Sequence, residues 1–427
     1  MRLSSLHARQ ILDSRGNPTV EVEAELTDGS QGRAAVPSGA STGRHESVEL
    51  RDNNPRRYHG KSVERAVRIV NEQLREFLID NDVGNQTAVD QELVMRDGTD
   101  NLGRFGANSI LAVSLAISKA AAASLGLPYY RYIRQLMSEL DGQPARRRLP
   151  TPMFNVINGG AHTGWQTTSF QEFMLVPLAG KTFADKLEMG SELYHQLETV
   201  LKEAGLQTMV GDEGGFAPQL HSDEQALELL LAAITRLNLK PGEDVAIALD
   251  PAMSELYQDG QYLLKNLPES SDRVRSTAQL IEQWQDWVER YPIISLEDGL
   301  AEDDWAGWVT LNERLGDRLM IVGDDLLVTN PGRIEKAITE RACNALLMKV
   351  NQIGTLTESL QAVRLAQRAG WQVVVSHRSG ETEDTSIADI AVGAGAGYVK
   401  VGAPARGERT AKYNQLLRIE EQLQAEG

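Results

Sequence analysis

At 427 residues the chain exceeds the size at which one hydrophobic core usually stops growing, so two domains, or one large barrel plus a further unit, are expected. Apolar residues make up 41% and charged residues 24%, ordinary for a soluble globular protein. The net charge of −17 repels polyanions, which argues against nucleic acid or an anionic membrane as partner; a small anionic ligand would need local cations to hold it.

In chain order, the N-terminal stretch "MRLSSLHARQILDSRG" has no apolar core of secretory length, and with Cys343 unable to form an internal disulfide a reducing, cytoplasmic setting is expected. Val20, Val22, Ala24 and Leu26 alternate with polar residues before Asp28-Gly29, which is the chemistry of a β-hairpin. The small-residue loop "VPSGASTGRHE" (36–46) is able to fold over a ligand as a lid, with Ser41 free to reach a metal or a phosphate. Val63, Ala66, Val67, Val70, Leu74, Phe77 and Leu78 recur at helical steps. "ANSILAVSLAISKAAAASLGLP", interrupted by serines and Lys119, reads as a buried helix and not a membrane span. The polar "DGQPARRRLP" (141–150) marks a boundary, giving an α+β domain over 1–140 and a second domain over 141–427.

The second part has a rhythm. Apolar runs end in Asp250, Glu297, Asp324, Lys349, His377 and Lys400, the last five spaced by 23–28 residues, about one βα unit each. In a barrel of parallel strands those ends converge on one mouth, so six polar side chains would face a common pocket; in an open doubly wound sheet they would form a line. Asp250, Glu297 and Asp324 would repel one another unless a hard divalent cation, magnesium before zinc, lay among them; the plainer alternative is that each caps the helix that follows. Of the cations Lys349, Arg378 and Lys400, Arg378 with Ser379 and Gly380 offers a guanidinium fork, a hydroxyl and backbone N–H groups to a phosphate. "VGDEGGFAP" places Asp212 and Glu213 before a Gly-Gly pair, and "NGGAHTGWQTTSFQEFMLVP" brings His162 on a glycine loop and Gln171-Glu172 to the start of an apolar strand.

These residues lie in motifs ("DSRGNPTVEVE", "VPSGASTG", "GDEGGFAP", "LMKVNQIGT", "SHRSGETED", "NQLLRIEE") that run nearly end to end and together resemble the enolase family. The resemblance implies a smaller α+β domain followed by a modified eight-stranded α/β barrel, assembled as dimers or octamers. It implies reversible dehydration of 2-phosphoglycerate to phosphoenolpyruvate with two magnesium ions per site. Lys349 would be the base at C2 and Glu213 the acid at the C3 hydroxyl. Asp250, Glu297 and Asp324 would hold one ion and Ser41 the other. Arg378 and Ser379 would take the phosphate and Lys400 the carboxylate, with His162, Gln171, Glu172 and His377 around them. Such chemistry calls for a neutral Lys349, its pKa pushed down by burial and nearby cations, and a protonated Glu213. Thr163, Gly299, Met253 and Val401 depart from the family pattern. A paralogue acting on a related phosphonate or phosphorylated hydroxy acid, or a scaffold without catalysis, is the competing reading.

Overall fold

The computed structural model describes residues 1–40, 43–266 and 273–425; Ser41, the expected lid ligand, lies outside them. Three antiparallel strands open the chain: β1 (Leu3–Leu12), β2 (Pro18–Leu26) and β3 (Gln31–Ala35). The expected hairpin turn falls between β2 and β3, with Gly29 at φ +86°. Helix Ala107–Ser124 lies against this sheet with nearly every side chain buried. It comes so close that a Cβ on Gly32 would sit 2.1 Å from the Ala116 carbonyl oxygen, so glycine is required there. The periodic segment from Val63 is helical over Glu64–Leu78 but widens into a π-helical turn at Ile69–Leu74, which brings Ile69 into the buried face beside Val70 and Leu74.

Eight strands close the barrel: β4 (Thr151–Asn158), β5 (Glu172–Pro177), β6 (Val245–Asp250), β7 (Ile293–Glu297), β8 (Met320–Gly323), β9 (Ala345–Met348), β10 (Gln372–Ser376) and β11 (Tyr398–Lys400). Neighbours in sequence are neighbours in the ring, and β11 pairs with β4 to close it. The strands are too short and apolar to be half-solvated. Their inward side chains, among them Met153, Met174, Ala248, Val322, Leu347 and Val374, fill the interior as a packed core. Helices clothe the outside, six of them begun by a capping side chain: Thr182, Ser222, Ser276, Asp304, Asn330 and Thr355 all accept a backbone N–H.

One strand departs from the expectation that all run the same way. β5 is antiparallel to both neighbours, β4 and β6, because only the loop 159–171 separates β4 from β5, too short for a helical crossover. Its reversal turns the start of β5 toward the mouth, so Glu172 pairs in register with Asp250 at the end of β6.

Candidate active site

The cap residues bear on two of the three strand-end carboxylates, while Asp250 Oδ1 accepts the Ala252 N–H (3.1 Å) at the turn that follows its strand. Helices Trp305–Leu315 and Pro331–Glu340 are capped by Asp304 and Asn330, which leaves Glu297 and Asp324 for the barrel mouth. One cavity there is lined by His162, Gln171, Glu172, Glu213, Asp250, Lys349, His377, Arg378, Ser379 and Lys400, with Glu297 and Asp324 joined to it through the two lysines. The residues picked out along two-thirds of the sequence thus meet at one place.

Charge is packed tightly. Lys400, 2% exposed, points its Nζ at Glu297 Oε1 (2.8 Å), Asp250 Oδ2 (2.9 Å) and Glu172 Oε1 (3.2 Å). Burial works against its charge, but Asp250, Glu172 and Glu297 raise its pKa well above the ordinary value, so it stays an ammonium. Burial pushes Glu172 and Glu297 well above the usual carboxylate range, reinforced at Glu172 by Glu213 and at Glu297 by Asp250, against the opposing pull of Lys400. Glu172 Oε2 and Glu297 Oε2 are buried without a hydrogen-bond partner. Unpartnered carboxylate oxygens on neighbouring acidic side chains fit a hard divalent cation.

Asp324 is ion-paired to Lys349 and accepts a hydrogen bond from Gln352 Nε2 (2.8 Å). Burial is the largest influence on Lys349 and works against its ammonium, yet the Asp324 and Glu297 charges together more than offset it and the pKa is raised. The expected downward shift is therefore not found: the ion pair with Asp324, joined by Glu297, offsets desolvation and the more distant Arg378 and Lys400. Glu213 is likewise inverted. Burial pushes its carboxyl up, but His162, His377, Arg409 and Lys400 more than offset this and hold it well below the usual range. Asn155 Nδ2 donates to Glu213 Oε2 at 2.8 Å; His162 Nδ1 and His377 Nε2 stand 3.9 and 3.8 Å from its two oxygens.

The anion clamp is built as a junction between domains. Arg378 donates to both oxygens of Glu46, from Nη1 at 2.9 Å and Nη2 at 3.0 Å, and to Asn351 Oδ1 at 3.0 Å. Ser379 Oγ accepts the Ala40 N–H (2.9 Å), and Ser38 and Gly380 exchange backbone hydrogen bonds at 2.8 and 2.9 Å. A Cβ on Gly380 would meet Asp13, Arg15 and Ser38 within 2.8 Å, which explains the glycine after Arg378-Ser379. The cationic turn at the end of β10 thus holds a carboxylate from the N-terminal domain in the bidentate manner that suits a phosphate.

Family comparison agrees with this architecture. The model of the enolase N-terminal domain matches residues 3–133, and that of the enolase C-terminal TIM barrel domain matches residues 146–427. The chain belongs to the enolase family.

The sequence alone did not single out several residues of the site. Asp298, at φ +42°, accepts the N–H groups of Asp324 (3.0 Å) and Asp325 (2.9 Å) and so fixes the end of β8; these three carboxylates come within 4.8 Å of one another. Their mutual repulsion adds to burial in raising Asp298 and Asp325 well above the usual range. The signal was present as acid pairs, Glu297-Asp298 and Asp324-Asp325, at successive strand ends. Glu46 closes the quoted lid stretch, whereas Asn155, Asn351, Gln352 and Arg409 give no local sign. Two of the departures are accounted for by packing: Val401 lies in the main core, and Leu296 fills the space beside Gly299, where a Cβ would come within 2.7 Å.

Proposed function

We propose that this member of the enolase family is a hydro-lyase acting reversibly between 2-phosphoglycerate and phosphoenolpyruvate. The observation that carries the reading is one buried cavity in which a lysine (Lys349) and a carboxylate (Glu213) line the same space as a guanidinium–hydroxyl clamp and unpartnered acidic oxygens. Arg378 and Ser379 would bind the phosphate, displacing Glu46, and Lys400 the carboxylate. Lys349 takes the C2 proton and the C–H electron pair moves into the carboxylate as an ene-diolate; that pair then forms the C2–C3 double bond as the C3–O bond breaks and Glu213 delivers a proton to the departing hydroxyl. Two magnesium ions, one held by Asp250, Glu297 and Asp324, would supply the charge stabilisation that a doubly charged ene-diolate needs.

The resting protonation states suit the hydration direction: a Lys349 ammonium able to give its proton to C2, and a Glu213 carboxylate able to take one from water adding at C3. Dehydration needs the opposite pair. Asp324 bears on the choice, since once it is engaged elsewhere Lys349 loses the largest of the interactions that offset its burial. Absorbance of phosphoenolpyruvate formed from 2-phosphoglycerate with magnesium tests the assignment. Turnover is expected, and its absence in folded protein overturns the substrate choice.

A further inference from the structure

Arg409 is fully buried in the first turn of helix Gly407–Gln424, yet it reaches the active-site loops. Its Nη1 bonds His377 Nδ1 (2.5 Å) and the Arg378 carbonyl (2.7 Å), and its Nη2 donates to the carbonyls of Ser379 (2.6 Å) and Asp212 (3.1 Å). One guanidinium therefore ties the turn after β10 to the residue preceding Glu213. The contact with the imidazole has a direction. A guanidinium donates, never accepts, and does not lose its proton at physiological pH, so the nitrogen facing it must offer a lone pair. With Nδ1 bare, the ring proton of a neutral imidazole sits on Nε2, the atom 3.8 Å from Glu213 Oε2.

We propose that Arg409 is a positioning residue that locks His377 as the neutral Nε2–H tautomer, so that Glu213 faces a proton donor there and cannot pass its own proton to this histidine. The consequence rests on Glu213 being the proton carrier of the proposed reaction; the tautomer does not. Protonating Nδ1 would set an imidazolium N–H against the guanidinium, which opposes the charged ring as burial does. Glu213 favours the charged ring, while Arg409, Lys400 and Lys349 all disfavour it. His377 then acts as a fixed dipole beside the acid, and the proton delivered to the leaving hydroxyl has a single address.

Nitrogen-15 NMR of histidine-labelled protein, with His377 assigned through His377→Gln, reads the tautomer directly. The expected wild-type result is an acceptor-type Nδ1 and a protonated Nε2, unchanged from pH 6 to 8. Arg409→Met should release the ring into mixed tautomers or a titrating state and lower kcat by about tenfold to hundredfold with little change in KM, and Arg409→Lys should restore part of both. A wild-type Nδ1–H tautomer or imidazolium overturns the proposal, as does a folded Arg409→Met protein whose His377 signals match the wild type. Should Arg409→Met not fold, the wild-type spectrum still decides. Locked His377 signals in a protein that does not turn over 2-phosphoglycerate would instead overturn the substrate assignment and leave the tautomer intact.

Discussion

At the floor of the barrel, where the parallel strands begin, Arg148, Arg364 and Arg368 end on groups that cannot move away. Arg148 Nε donates to the Gly395 carbonyl at 3.1 Å, Arg364 Nη2 donates to the carbonyls of Met137 and Gln143 at 2.9 and 2.7 Å, and Asp141 accepts from Arg368 at 3.0 Å. At the mouth Lys400 is shared by three carboxylates, Glu172 and Glu297 each keep a buried oxygen without a partner, and Arg378 is held by a glutamate from another domain. Floor charges are tied to backbone carbonyls and to the single carboxylate of Asp141, which pairs with both Arg364 and Arg368; mouth charges are tied mostly to one another, and each such pair is exchangeable for a ligand. Loss of a floor charge should therefore register in stability and loss of a mouth charge in turnover.

The sharpest break should come at Lys349. Lys349→Ala removes the group proposed to exchange the C2 proton, so kcat should fall by about a thousandfold or more and C2–H exchange with deuterated solvent should vanish. Glu213→Gln should slow elimination while leaving some exchange. Persistent exchange in the lysine variant would move the base elsewhere. Asp324→Asn comes next: with one fewer anionic oxygen, half-maximal activity should need about tenfold to hundredfold more magnesium, and an unchanged titration would remove Asp324 from the ligand set. At the floor, Arg364→Met keeps the packing stem and deletes the hydrogen bonds that join helix Leu356–Arg368 to the domain boundary. We expect a loss of about 2 kcal/mol in urea unfolding with kcat and KM unchanged. A shift in KM would mean that the two ends are coupled.

How far the sequence spoke follows the same division. Strand ends were legible because an apolar run stopped by a charge is a local pattern, and in the structure Asp250, Glu297 and Lys400 close their strands while Asp324, Lys349 and His377 directly follow theirs. The reversal of β5 was not legible. Gln171-Glu172 reads the same whichever way the strand runs, and only the pairing of Glu172 with Asp250 places it at the mouth. Partner choice was also hidden: Asp324 holds Lys349 through a contact between residues 25 apart in sequence, and that contact, together with Glu297, reverses the expected direction of the lysine's pKa shift. Arg409, on the last helix, resembles any arginine of an amphipathic segment until its three carbonyl partners are known.

Asp223 tests whether satisfaction by backbone is enough to neutralise the cost of burying a charge. Its carboxylate accepts the N–H groups of Ser169 (2.5 Å) and Phe170 (3.4 Å), the floor's manner of pairing, yet burial still pushes its pKa up to about 6. The folded chain therefore keeps a proton that the unfolded chain releases from about pH 4 upward. Between about pH 4 and 6 the folded state binds more protons, so stability should fall as pH rises through that window, by at most about 1.4 kcal/mol per pH unit from this group, and level off above pH 6. Asp223→Asn keeps an oxygen for the two N–H groups and has nothing to ionise, so urea unfolding across the window should lose this group's slope. An identical slope in wild type and variant would show that the two backbone donors fully offset burial at Asp223, and that the contrast between floor and mouth is one of partner number alone.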